Sequence, residues 1–197
     1  MSGSEELLAL YEAKARAELD DADGAAGVDA DARRGALMAP VALVVGLPGT
    51  AEPPLSGEAG EAVGKALVAL GFPAGSEFVI ASHPLSDAGD GPLARRLRLA
   101  IEAVDPTLVL ALDAVAARDL SVAFDLGDLL VGVPVSALGR TFGYVGEFAA
   151  SLGDESAKVR AWGAMKAIAR ADVAATSARR QSAPRDKSDV RSDRPKA

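Results

Sequence analysis

Val41-Ala42-Leu43-Val44-Val45 is an apolar run that stops at Gly46-Leu47-Pro48-Gly49-Thr50. Such a run, rich in β-branched side chains, has no polar face to turn to water. It reads as a strand buried on both sides, which demands a sheet covered by helices above and below. In folds of that kind the loops leaving the C-terminal strand ends hold the ligands. This loop has no carboxylate, no hydroxyl beside its first glycine and no lysine where a phosphate loop needs one. Its backbone amides offer at most a place for one anion.

The rest of the chain alternates in the same way. Residues 4–20 predict a helix with Leu7, Leu8, Tyr11, Ala15 and Leu19 near one face, and Glu5 and Glu6 in its first turn. Residues 21–35, rich in Asp, Ala and Gly, read as a mobile connector. Helices are predicted over 58–70, 92–104, 114–120 and from Asp154 or Ser156 to about residue 174. Strands are predicted over 77–81, 107–112 and 129–135. Loops 82–91 and 136–153 separate them. The expected architecture is a three-layer α/β/α sandwich around a mainly parallel sheet. Residues 1–37 are expected to be an N-terminal helix and acidic connector, 38–175 the domain, and 176–197 a disordered basic tail.

Composition closes several routes. The 197 residues include no Cys and a single His, so thiol nucleophiles, disulfides, iron–sulfur clusters and multi-histidine metal sites are excluded. No acidic cluster points to a magnesium site, and no cofactor is implied. No apolar run approaches a membrane span, and the acidic start lacks the pattern of a signal peptide, so a cytoplasmic location without membrane contact is expected. The formal charge is −7. From Thr176 onward seven Lys/Arg face three Asp/Glu, a net +4, which leaves −11 on the remainder. An acidic body suits nonspecific DNA binding poorly, because that binding rests on neutralised phosphates.

A set of motifs runs through residues 41–168. Val44-Val45-Gly46-Leu47-Pro48-Gly49 is followed by Gly57-Glu58-Ala59-Gly60 at a helix start. Ile101 to Leu120 reads Ile-Glu-Ala-Val-Asp-Pro-Thr-Leu-Val-Leu-Ala-Leu-Asp-Ala-Val-Ala-Ala-Arg-Asp-Leu. Pro134 to Arg140 precedes Lys158-Val159-Arg160-Ala161-Trp162. In order and spacing this resembles the uracil-DNA glycosylase superfamily, and most nearly its bacterial and archaeal iron–sulfur branch. No single motif is specific; the ordered set carries the likeness. It implies that family's fold, a cleft for an extruded base, and damaged or single-stranded DNA as the partner class.

The same resemblance implies that the chemistry is gone. The first motif of the family typically carries a carboxylate or amide that positions water; Leu47 stands at or beside that place. The next loop usually supplies an aromatic that stacks on the base; here it offers Leu55. The family reads the base edge with an Asn, where Ala81 and Ser82 are the nearest candidates. The His that stabilises the departing base is replaced by Pro134 or Val135, and Ser136 matches the motif serine. The cluster cysteines are absent. Losing one such electrostatic element commonly costs about 100- to 1,000-fold in rate.

Two residues remain as acid or base candidates. Glu52 lies in the loop after Gly49, where a solvated glutamate is the commoner role. His83 is the single histidine, and a surface or capping role before Pro84 is the commoner one. Asp87 and Asp90 read as turn residues, and Trp162 with Met165 as core. The leading expectation is a divergent, non-excising family member. Its cleft would be formed by Gly46, Leu47, Pro48, Gly49, Leu55, Ser82, Ser136 and Arg140, and would accept a nucleobase, nucleic acid or protein partner. The alternatives are an active glycosylase or hydrolase on another base or nucleotide using Glu52 or His83, and an unrelated doubly wound protein binding a nucleotide or metabolite.

Overall fold

A computed structural model describes residues 3–46, 53–84 and 89–182. The strand announced by the apolar run is β2, Val41–Val45, and all five of its residues are buried. It lies inside a six-stranded mixed sheet of order β1-β3-β2-β4-β6-β5. The other strands are β1 (Arg33–Gly35), β3 (Glu77–Ala81), β4 (Leu108–Ala111), β5 (Val135–Ala137) and β6 (Arg140–Tyr144). The pairings β3/β2, β2/β4 and β4/β6 are parallel, while β1 and β5 are antiparallel edges. The sheet is therefore mixed; β1 comes from the expected connector, and β5 begins at the last residue of the strand expected over 129–135 and runs into the expected loop.

Helices cover both faces, as a strand buried on two sides requires. The helices are α1 (Gly3–Ala25), α2 (Glu58–Ala69), α3 (Asp90–Val104), α4 (Ala114–Phe124), α5 (Phe148–Ser151) and α6 (Glu155–Ser182). Side chains alternate along each strand. Leu43, Val45, Leu108 and Leu110 pack with Val63, Leu67, Met165 and Ile168 of α2 and α6. Ala42, Val44, Val109 and Ala111 pack with Leu97, Ile101 and Leu120 of α3 and α4, together with Leu19 of α1.

Local chemistry sets the helix ends. Asp154 Oδ1 accepts from the Ala157 N–H at 2.6 Å and from the Ser156 hydroxyl at 2.7 Å, capping α6. The hydroxyl first, then the amide, hold this carboxyl below its usual range. Asp105 and Asp125 close α3 and α4 in the left-handed region, each with φ 53°, and Pro106 prevents α3 from continuing.

The fourth parallel strand is not where the apolar pattern puts it. Leu130, Val131 and Val133 are exposed, and Gly132 has φ 74°. The strand is Arg140-Thr141-Phe142-Gly143-Tyr144, in the middle of the expected glycine-containing loop. Gly143 explains the choice. A Cβ there would lie 2.5 Å from Ile168 Cδ1, so only a glycine lets α6 seat its isoleucine on the sheet. Leu138 and Gly139, both at positive φ (50° and 77°), turn β5 into β6 in the manner of a two-residue hairpin.

Residues 21–35 also differ from a mobile connector. They supply the end of α1, a short 3₁₀ turn at Ala30–Ala32, and β1. Charged side chains lock them in place. Asp23 is buried, and its two oxygens accept from Arg33 Nε and Arg96 Nε, each at 2.6 Å. Arg96, wholly buried, also donates from Nη1 to the Ala81 carbonyl at 2.8 Å. Burial pushes the Arg96 pKa down from its ordinary value, while Asp23 opposes that shift. At the other end, α6 continues past Thr176 to Ser182, so the expected tail begins inside a helix; residues 183–197 lie outside the described residues.

Candidate functional site

The C-terminal ends of the parallel strands gather at Gly46. Its N–H donates to Asp113 Oδ2 at 2.7 Å, and its carbonyl accepts from the His83 N–H at 3.0 Å. The Ser82 N–H reaches the Val45 carbonyl at 2.7 Å. A Cβ on Gly46 would meet Val115 Cβ at 2.5 Å and Asp113 Oδ1 at 2.7 Å. The first glycine of the loop is therefore demanded by the closeness of α4, whatever the loop binds. Leu47, Pro48, Gly49 and Glu52 lie outside the described residues.

On one side of Gly46, Asp119 is a hub. Its Oδ2 accepts from Ser82 Oγ at 2.8 Å and lies 3.6 Å from His83 Nδ1, while Oδ1 pairs with Arg118 Nη2 at 3.0 Å. Ser82, His83, Asp90, Leu93, Arg118 and Asp119 line a hollow of about 40 Å³. The serine hydroxyl points its proton at the aspartate, not at the histidine. A histidine base therefore does not activate it, as a serine nucleophile would require.

On the other side lies a larger cleft of about 210 Å³. Its apolar walls include Val45, Leu55 and Leu112, and its polar wall is Asp113 and Glu147. Leu55 is held in the left-handed region (φ 57°) because Arg34 clamps its loop, donating from Nε to the Pro54 carbonyl at 2.7 Å and from Nη2 to the Leu55 carbonyl at 2.8 Å. Gly60 makes this possible: a Cβ there would fall 1.8 Å from the Leu55 carbonyl oxygen.

The two carboxylates face the head of α4. Asp113 Oδ1 accepts from the Ala116 N–H at 2.8 Å, and Glu147 Oε1 accepts from the Ala114 N–H at 2.9 Å and from the Tyr144 hydroxyl at 3.0 Å. Helix N–H groups that would otherwise receive an anion are thus taken by acids of the chain itself. Burial first, then the hydrogen bond to Glu147, pushes the Tyr144 hydroxyl up to about 12. No Lys or Arg lines this cleft among the described residues. Among the described residues no group of three His, Cys, Asp or Glu is placed to hold a metal ion.

The structure brings Gly46, Leu55, Ser82 and His83 to one end of the sheet and takes two expected partners away. Arg140 begins β6 at its opposite end, where Nη2 donates to Asp105 Oδ1 at 2.5 Å beside the end of α3. Ser136 sits exposed on the edge strand β5, paired with Thr141. Both were expected in a cleft-facing loop; the hairpin places them away from it. Trp162 is partly buried against the core, with Met165 fully inside.

Sequence reasoning missed Asp113, Asp119, Tyr144 and Glu147. Asp113 had a readable signal, an aspartate directly before an alanine-rich helix. Glu147 had none, since it meets Ala114 from 33 positions away. Compared with protein-family models and with curated proteins, the chain has no match.

Proposed function

We infer that this chain is a divergent uracil-DNA glycosylase-like protein without uracil-excising activity, whose cleft beside Leu55 binds a neutral, ring-shaped ligand of the nucleobase class. The family reading rests on the ordered motifs, with Gly46 and Gly60 both sterically required where the resemblance puts the first motif and the following helix start. The observation that carries the ligand reading is a cleft walled by Leu55 and two carboxylates, with no Lys or Arg among its described lining residues. Carboxylates only accept hydrogen bonds, so they suit the N–H edges of a base and repel phosphates. At about 210 Å³ the cleft is smaller than the roughly 300–1,000 Å³ typical of drug-sized ligands, and suits a single heterocycle.

The rival reading is an enzyme that uses His83. It is favoured by one contact, the 3.6 Å approach of His83 Nδ1 to Asp119, and opposed by the orientation of Ser82 toward the same carboxylate. The test is calorimetric titration with uracil, hypoxanthine and xanthine. Alongside it, base release and DNA binding are measured on single-stranded oligonucleotides carrying those bases. The expected result is saturable binding of a free base, weakened by Leu55→Asp, with no release. Uracil release abolished by His83→Ala would replace this reading with the enzyme. Tight, steeply salt-dependent DNA binding without free-base binding would move the ligand from base to backbone.

A further inference from the structure

The end of the sheet away from Gly46 holds a buried polar cluster that the cleft does not use. Thr141 of β6 and Asp172 of α6 are 0% and 4% exposed. Thr141 Oγ1 and Asp172 Oδ1 are both buried, and neither has a hydrogen-bond partner. Among the described residues the Asp172 carboxylate makes one hydrogen bond, accepted by Oδ2 from Thr107 Oγ1 at 3.2 Å, and no ion pair.

The two side chains stand opposite one another. Thr141 pairs with Leu108, which packs on the α2/α6 face, so Thr141 points to that face as well. Ile168 of α6 sits over Gly143. Asp172 follows Ile168 by one helical turn, about 6 Å, and Thr141 precedes Gly143 by two strand residues, about 6.6 Å. The Thr107 carbonyl accepts from the Thr141 N–H at 2.8 Å, while the Thr107 hydroxyl reaches Asp172. The helix therefore runs antiparallel to β6, and the two steps match.

The cluster is rich in oxygen and short of protons. Thr107 Oγ1 lies 3.2 Å from Asp172 Oδ2 and 3.3 Å from the Pro40 carbonyl oxygen, but its one hydroxyl proton serves only one of them. That carbonyl already accepts from the Thr107 and Leu108 N–H groups, each at 3.1 Å. A buried charge is normally paired or bound to a metal ion. A water between Thr141 and Asp172 would add a dipole and leave the charge uncompensated. Carboxylate, hydroxyl and carbonyl oxygens suit hard cations, and one carboxylate is neutralised by one positive charge.

We propose that Asp172, Thr141 and Thr107 bind a monovalent cation, Na+ or K+, between α6 and the sheet. The ion supplies the positive charge that Asp172 lacks and gives Thr141 Oγ1 a contact. The site exists only when α6 lies on β6, so the ion binds the folded chain alone and adds to its stability.

The test melts the full chain in NaCl, in KCl and in choline chloride at equal ionic strength, followed by circular dichroism. Equal ionic strength removes general screening on a chain of charge −7, and choline is too large for a buried site. Na+ or K+ should raise the midpoint saturably, by about 2–4 °C or more over choline. Asp172→Asn keeps the shape and removes the charge, so the three salts should give it one midpoint. Thr141→Val removes one ligand oxygen and should need about tenfold more salt for the same rise; it carries the comparison if Asp172→Asn fails to fold. The NMR line width of the stabilising ion reads occupancy without unfolding, and the wild type should broaden it where Asp172→Asn does not. A wild type with the same midpoint in all three salts overturns the proposal and leaves a neutral occupant, such as water, between the two side chains. A Na+ or K+ effect of undiminished size in a folded Asp172→Asn or Thr141→Val also overturns it, by placing the ion elsewhere on the acidic surface.

Discussion

Asp113 holds Gly46 by its amide at 2.7 Å while its other oxygen caps α4 at Ala116, 2.8 Å away. One carboxylate therefore fixes both the end of the central strand and the start of the neighbouring helix. The cleft is built around this joint, and its rigidity comes from the close approach that only a glycine permits.

Gly46→Ala should destabilise the protein by about 1–3 kcal/mol, since the added methyl would overlap Val115 and Asp113. Asp113→Ala should cost about 1–2 kcal/mol through the lost cap and the orphaned Gly46 amide. Urea unfolding of each variant measures both. Because the two residues touch, the double variant should cost less than the sum.

Gly143→Ala tests the fourth strand. The new methyl would meet three atoms of Ile168, a residue with no exposure, and should cost about 1–3 kcal/mol. Shortening Ile168 to alanine in the same chain should recover part of that loss. A double-mutant cycle in urea measures the coupling, and additive costs would mean that α6 does not rest on Gly143.

Asp23→Ala removes the anion bonded to the buried Arg96 Nε. Breaking a buried pair from one side commonly costs about 3–5 kcal/mol, because the remaining charge stays uncompensated. Protease cleavage within α1 should accelerate with the fall in stability, since Asp23 also ties α1 to Arg33.

Tyr144 should titrate late. Its hydroxyl is raised from 10.0 to about 12, so it stays protonated in the folded state at pH values where the unfolded chain ionises. A raised folded pKa contributes stability that is fully present below the unfolded value and is lost as pH rises through the folded one. The window is therefore about pH 10 to 12. Phenolate absorbance in a Tyr11→Phe background isolates Tyr144, and Glu147→Gln should move its midpoint downward.

Much of the scaffold is written locally. Val41 to Val45 has no polar face, so burial on both sides and two helical layers follow from the run itself. The ends of α3 at Asp105-Pro106 and the cap at Asp154 are equally local, since each depends on residues a few positions apart. The candidate site was legible only in part. Gly46, Leu55, Ser82 and His83 reach the same end of the sheet because they follow strands or precede helices that the pattern locates. Arg140 and Ser136 do not, because they lie on strands β5 and β6, where the pattern put a loop.

The sequence by itself determined that this chain builds helices on both faces of a buried sheet, and that it does so without thiol chemistry or a multi-histidine metal site. Tertiary structure decided which segment became the fourth parallel strand, that Asp23 and Arg96 are buried partners, and that Asp113 and Glu147 close the head of α4. The reason is physical. Periodicity and capping report what a residue meets within a few positions, whereas a strand such as Arg140–Tyr144 is chosen by the room Gly143 leaves for Ile168. A contact of that kind exists only once distant parts of the chain have come together.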